Sequence, residues 1–273
     1  MNRRPAWLTA WYSLLALILA VIAIGPCLWL LGVALSPAEV PINRLPRADQ
    51  LTLTNFQGVW SEANLGRALL NSFLVTVSQA FLNVLLAALA AYPLARMRFR
   101  GRSLIFVLIL STLMVPEQVI VVPLFSTIVS MGLYDTLIAV VLPFSVTAFG
   151  IFLCRQAFLS IPWSLEEAAR IDGAGTLRIW WHVMLPLARP ALATLAVFSV
   201  IGAWSNLLWP LIVLQEQGRF TLPVAINQLL GVFATNIRYA YAGSVLAIIP
   251  VLIFYLLAQK WLIRGLLAGA VKG

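Results

Sequence analysis

Chemistry in this chain must come from few groups, because nine carboxylates, one histidine and two cysteines are spread over 273 residues. With His182 the sole histidine, no histidine-based metal cluster can form, and the residue reads as packed or interfacial. Cys27 and Cys154 each lie within an apolar stretch at different expected depths. They predict neither a disulfide nor a metal site, but two buried small hydrophobes. No nucleophile stands beside a base. A phosphate loop needs Gly-x4-Gly-Lys-Ser/Thr, whereas Lys260 and Lys272 are followed by Trp261 and Gly273. Any ATP energy must therefore enter from another polypeptide. What remains are binding groups. Trp204 and Asn206 offer an aromatic face and an amide, which suit the C–H faces and hydroxyls of a sugar; they equally suit helix packing, with the amide bonding across to a neighbour. Glu117, beside Gln118, is a carboxylate embedded in an apolar run. It either lines a cavity or reaches water or an arginine at the outer end of its helix. Asn71 and Asn83 read as packing residues.

The elements that hold these groups must be membrane helices. The chain is 62% hydrophobic and 10% charged, against roughly 25% charged in a soluble domain. A net charge of +9 invites a nucleic-acid reading, but the basic residues sit between long apolar runs rather than on one face, which favours anionic headgroups. Runs long enough to cross about 30 Å of hydrocarbon fall at about 11–34, 69–93, 104–129, 136–158, 190–213 and 240–261. Six crossings place both termini on one side. Thirteen of the 18 Lys and Arg residues lie there, including the cluster Arg96, Arg98, Arg100 and Arg102, so that side is the cytoplasm. The basic N-terminus resembles a signal peptide, but the apolar stretch after it is too long for a cleaved one and reads as a retained first span. Pro116 and Pro123 flank Glu117 and predict a kink in the third span; a straight helix puts Glu117 roughly 21 Å above its cytoplasmic start. The expectation is an all-α integral membrane protein forming a single domain over 1–273.

The cytoplasmic connection 160–186 differs from the other loops. Ser164 and Glu167 have the S-x-x-E spacing of a capping box. Gly173 suits the left-handed residue that ends a helix, and Thr176 can cap a second one. Leu177, Trp180, Trp181 and Met184 then form an apolar stripe at helical spacing. Glu166 and Asp172 read as solvated helix-end charges. Two short helices meeting at a glycine corner are expected, either resting on the bilayer surface or docking into a partner, where small Ala168 and Ala169 allow close approach.

The run Glu167-Ala168-Ala169, three residues, Gly173, nine residues, Val183-Met184-Leu185-Pro186 resembles the EAA loop of ATP-binding cassette (ABC) importer permeases, departing only at Val183. The tail 259–273 and the segment 204–211, Trp-Ser-Asn-Leu-Leu-Trp-Pro-Leu, are similar to those of the maltose-type carbohydrate permeases. The resemblance implies the type I importer permease fold in a bacterial or archaeal inner membrane. It implies a heterodimer with a second permease, two cytoplasmic ATPase subunits that use ATP and Mg, and an extracytoplasmic binding protein; this chain itself holds no cofactor. It places Ser164, Glu166, Glu167, Ala168, Ala169, Asp172, Gly173 and Ala174 on the ATPase-coupling surface. Glu117, Gln118, Trp204 and Asn206 fall along the substrate path, and Gln217, Gly218 and Arg219 face the binding protein. The implied cargo is a sugar or polyol; glycerol phosphate, an osmolyte or a peptide is the alternative. A secondary transporter would show inverted repeats and several embedded charges, and a membrane enzyme would show paired catalytic residues at one depth; the sequence has neither.

Overall fold

Long uncharged apolar runs can satisfy their backbone groups only within themselves, and in this computed structural model they form helices. The structure describes residues 6–62, 64–231 and 237–270, and no strand occurs among them. The helices are α1 (Ala6–Ala34), α2 (Thr54–Glu62), α3 (Leu65–Arg96), α4 (Arg102–Ser111), α5 (Glu117–Ser130), α6 (Leu137–Val141) and α7 (Ala148–Ser160). They continue with α8 (Trp163–Ile171), α9 (Thr176–Ile179), α10 (Leu185–Leu187), α11 (Arg189–Ser205), α12 (Leu208–Val213), α13 (Leu222–Gly231) and α14 (Ile237–Ala270). The expected basic residues Arg3, Arg4 and Lys272 lie outside the described residues, as do the side chains of Lys260 and Arg264.

Three stretches are single helices long and apolar enough to cross a membrane: Trp11–Ala34, Leu65–Arg96 and Ile237–Gln259. Three more qualify only as bent pairs, turning by 104° between Arg102–Met114 and Glu117–Ser130, by 45° between Leu137–Phe144 and Ala148–Ser160, and by 78° between Thr176–Leu187 and Arg189–Ser205. Proline marks each break. Pro116 is the N-cap of α5, Pro143 stands in the 3-10 turn Leu142–Phe144, and Pro186 and Pro190 bracket the third. A proline donates no backbone hydrogen bond and clashes with the preceding turn. The kink expected at Glu117 is thus a full corner, and a straight-helix height for that residue holds only as far as Met114.

The chain divides into two compact units. The first comprises residues up to Gly66 with 225–249. Here Asn55 Nδ2 donates to the carbonyls of Ala34, at 2.8 Å, and Ser36, at 2.9 Å, closing the open C-terminal end of α1. Arg238 donates to Ser36 Oγ at 3.2 Å and to the Val40 carbonyl. Among the described residues, none of the apolar window of α1 is buried. Cys27, expected to be buried, is therefore exposed on it, whereas Cys154 is buried; both are free.

The second unit, residues 67–224 with 250–273, holds the core that positions the functional elements. Ala87, Ala88, Ala91 and Ala95 give α3 a small-residue face, and Ile151, Cys154 and Phe158 of α7 close on it with Ile179, Trp180, Met184 and Leu195. Asn83 and Asn71 are packing residues, as expected. Asn83 Oδ1 accepts from Thr147 N at 2.9 Å while its Nδ2 donates to Ser199 Oγ at 2.8 Å. Asn71 donates to the carbonyls of Gly218 and Phe220, each at 3.0 Å. Gly150 sits where α7 meets α3, and a Cβ there would stand 3.0 Å from Ala87 Cβ and 3.1 Å from Asn83 Oδ1. Gly150→Val should therefore lower the thermal midpoint of the detergent-solubilised protein by the equivalent of about 1–3 kcal/mol. Gly25→Ala, which meets nothing within 4 Å, should leave it unchanged or raise it by up to ~1 kcal/mol.

Candidate functional site

The connection 160–186 folds as a hairpin of α8 and α9 running through the π-helical turn Trp180–Met184 into α10. Its corner is as expected. Gly173 has φ +78°, its N–H donates to the Arg170 carbonyl at 3.0 Å, and Ala174 N–H donates to the Ala169 carbonyl at 2.9 Å. This paired pattern ends α8 and needs a residue without Cβ strain.

Three local expectations are corrected. No capping box forms: Pro162, fixed in extended geometry, is the N-cap, α8 starts at Trp163, and Ser164 and Glu167 lie exposed inside the helix. The earlier start is held by Trp163, whose ring lies 4.6 Å from Arg96 Cζ. Thr176 does not cap α9; Gly175 does. The expected stripe splits, with Trp180 and Met184 buried but Leu177 72% and Trp181 56% exposed. In a π turn residues five apart align, so Ile179 joins Met184 in the core instead. Pro186, unable to donate to residue 182, accounts for the altered register.

Glu166 is the larger correction. Expected as a solvated charge, it is 1% exposed. Its Oε1 accepts from Tyr92 Oη at 3.1 Å and from Arg170 Nη2 at 2.8 Å, and its Oε2 lies 3.7 Å from Arg96 Nε. Arg96, expected as a surface anchor, is equally buried and donates through Nη2 to the carbonyls of Phe158, at 2.6 Å, and Ile161. A carboxylate leaves water only beside compensating charge, and here Arg170 of the same helix and Arg96 of α3 supply it. The hydrogen bond from Arg170 and the adjacent charge hold the Arg170 proton more tightly than in free arginine. The spacing of Glu166 and Arg170, four residues apart, was a visible signal for half of this network. Nothing local pointed to Tyr92 or Arg96. Asp172 is exposed, as expected. The free surface of the hairpin is then Ser164, Glu167, Ala168 and Asp172, with Leu165 and Ile171, the last 87% exposed.

On the 3-10 turn Gln217–Arg219, Arg219 is tied down: Nη1 contacts Asp135 Oδ2 at 2.9 Å and Nη2 contacts Glu216 Oε2 at 3.1 Å. Asp135, at φ +57°, accepts from Gln215 N at 2.8 Å through Oδ1. Gly218 is held through its carbonyl by Asn71. Gln217 is exposed.

Glu117 and Asn206 line one cleft of about 370 Å³, together with Gln79, Thr147, Ser199 and the rings of Phe144, Phe149 and Phe198. Trp204 lines another hollow of about 180 Å³ with Phe73, Thr76 and Val251. Gln118 is exposed and borders neither. Gln79 was passed over in the sequence, although a glutamine inside a span is itself a signal.

Residues 83–267 match the family described as binding-protein-dependent transport system inner membrane component. The chain is 35% identical, over 279 residues and the full length of both proteins, to the arabinooligosaccharides transport system permease protein AraQ of Halalkalibacterium halodurans. It is 35% identical to the diacetylchitobiose uptake system permease protein NgcG of Streptomyces coelicolor, over 90% of this chain and 83% of that protein. A crystal structure of a bacterial ABC transporter involved in the import of the acidic polysaccharide alginate superposes with a TM-score of 0.82 at 27% identity, covering 95% of this chain and 99% of that one. An all-helical chain with helices of membrane length and this kinship is a transport-system membrane component rather than an enzyme. It belongs to the binding-protein-dependent family of inner membrane components, as a permease subunit of an ABC importer.

Arg96→Ala strands the Glu166 carboxylate beside Tyr92 and should destabilise the solubilised protein by about 3–5 kcal/mol. Arg170→Ala, at a 57% exposed side chain, should cost no more than ~1 kcal/mol. The double variant Arg96→Met/Glu166→Met should recover much of the first loss, which thermal unfolding in detergent measures.

Proposed function

We propose that this chain forms half of the membrane pathway of an ATP-driven sugar importer and takes its driving force through the hairpin of α8 and α9. Each bent pair counts as one span, giving six crossings with both termini cytoplasmic, in accord with the thirteen-to-five bias of Lys and Arg. The whole chain then acts as one permease domain. Its partners are a second permease, two ATPase subunits that bind ATP and Mg, and an extracytoplasmic binding protein that meets the Gln217 turn.

The observation that carries the coupling reading is the division of the hairpin into two sides. One side is fixed in the core through Glu166, Trp180 and Met184. The other offers Ala168, Leu165 and a nearly fully exposed Ile171 next to Glu167 and Asp172. Small and apolar residues rimmed by charge fit a protein cleft. A hairpin resting on lipid would bury its large apolar residues in the headgroup region, and the exposed Ile171, Leu177 and Trp181 make the bilayer reading the runner-up. The sugar cargo is supported by the saccharides in the names of the relatives. Another solute of the same transporter class, such as glycerol phosphate or an osmolyte, is the alternative.

In proteoliposomes containing the assembled transporter, Gly173→Val should cut ATP-dependent uptake at least tenfold while membrane insertion stays intact. A β-branched residue resists the left-handed geometry by roughly 1–2 kcal/mol, and the hairpin tip shifts. A cysteine at Ala168 should cross-link to the ATPase subunit. Uptake by the permease pair without any ATPase, or a residue-168 cysteine that labels only lipid, would overturn the coupling role.

A further inference from the structure

The cleft at the α5 corner has a chemical character beyond its place on a path. Gln79 is nine-tenths buried on α3, faces this cleft and makes no side-chain hydrogen bond among the described residues. Glu117, half-buried at the first position of α5, is in no ion pair or hydrogen bond among them either. Asn206 accepts a 3.4 Å contact from Trp209 N through Oδ1, and its Nδ2 makes no hydrogen bond among the described residues at the α11–α12 break. By contrast Asn83, Thr147 and Ser199 bond one another and serve as wall. A buried polar group is normally satisfied; Gln79 is a buried amide without a side-chain partner, it converges on one hollow with the half-buried Glu117 carboxylate and Asn206 amide, and a ligand there would complete it.

We infer that this permease carries its own saccharide subsite, in which the Gln79 amide, the Glu117 carboxylate and the Asn206 amide bond hydroxyls of an uncharged sugar ring that lies against Phe149 and Phe198. The inference rests on the importer reading above and adds a site and a charge class to it. The two rings stand edge to face with centroids 5.7 Å apart, which leaves a ring face for C–H contact. About 370 Å³ lies within the ~300–1,000 Å³ range of small-molecule sites. No Lys or Arg lines the cleft, so an anionic sugar or sugar phosphate would meet Glu117 with no compensating charge in surroundings of low dielectric. A neutral polyol meets only donors and acceptors. The cleft therefore selects against anionic cargo of the alginate kind.

The test uses the complete transporter reconstituted with its binding protein. Labelling of Glu117 by a hydrophobic carbodiimide is read by peptide mass spectrometry, with Glu117→Gln as the unlabelled reference. A mixture of neutral trisaccharides (raffinose, maltotriose and arabinotriose, millimolar each) should slow labelling at least threefold, and trigalacturonate at the same concentration should not. Glu117→Gln and Gln79→Leu should each lower kcat/KM for uptake of the transported neutral sugar about tenfold, while receptor-stimulated ATPase activity stays within twofold. Equal protection by trigalacturonate, or no protection by any neutral sugar that the same vesicles take up with ATP, would overturn the subsite and leave the permease reading standing. Absence of ATP-dependent uptake of every neutral sugar would instead overturn that reading, and the subsite with it.

Discussion

A carboxylate that has left water must be held by charge, and Glu166 is held by Arg170 of its own helix and by Arg96 of α3. That single requirement fixes the geometry of the hairpin. Arg96 ends α3, reaches the two carbonyls that close α7, carries the ring of Trp163 on its guanidinium and stands beside Glu166. The end of α3, the end of α7 and the start of α8 are thereby joined around one cation. Because Arg96 Nε and Nη1 and Glu166 Oε2 have no hydrogen-bond partner among the described residues, the pair rests on charge attraction across 3.7 Å. Such a junction is costly to open. Movement of α8 must then carry the end of α3 with it rather than slide past.

Rigidity at that junction contrasts with the breaks elsewhere. At 104°, 45° and 78° three stretches of spanning length turn within a few residues, each at or beside a proline. Those corners leave backbone groups that lipid cannot satisfy. Side chains answer at one of these corners and at two other helix junctions: Thr147 caps α7 at the 45° turn, Thr136 caps α6, and Asn206 receives the amide of Trp209 between α11 and α12. Trp209, wholly buried, also donates to the Ala139 carbonyl at 2.9 Å and so ties α12 to α6. Broken helices of this kind bring polar groups to a cavity wall inside an otherwise apolar bundle: Glu117 sits at the 104° corner and Asn206 at the break between α11 and α12.

The legibility of these features in the sequence follows the range of the interaction behind each. Gly173 was readable because the left-handed geometry is a local demand of one residue. The prolines at 116 and 123 signalled a bend for the same reason, though not its size. The charge bias pointed to Arg96 as a surface anchor, and that failed because its burial depends on Glu166, seventy residues further on. The capping box failed to form although its spacing was right, because Pro162 and the Trp163–Arg96 contact start α8 earlier than Ser164 would. The apolar stripe at 177–184 assumed a regular α turn, and the π turn ahead of Pro186 moved half of it to the surface. Gln79 carried a signal in its polarity alone, but only the fold shows that it faces the same space as Glu117 and Asn206.

The hairpin and the cleft share their helices. Gln79 and Arg96 stand on one unbroken α3, separated by 17 residues, or roughly 25 Å of helix. Ser199 and Asn206 stand on α11 or at its end, whose first turns pack beneath Trp180 and Met184 through Ala188 and Leu195. Thr147 caps α7, whose far end is held by Arg96. All three walls of the cleft therefore terminate in the core that seats the hairpin. Small alanines along α3 let these helices pack closely, and close-packed interiors transmit strain rather than damp it. The hairpin and the polar wall at Gln79 are thus joined through α3, a single helix that carries Pro93 between Gln79 and Arg96. The side that carries Glu117 is reached through α4, whose Phe106 and Ile109 pack on the same core, and then across the 104° corner into α5. Gln79 and Glu117 are thus joined to that core by a single helix on one side of the cleft and by a sharply bent pair on the other.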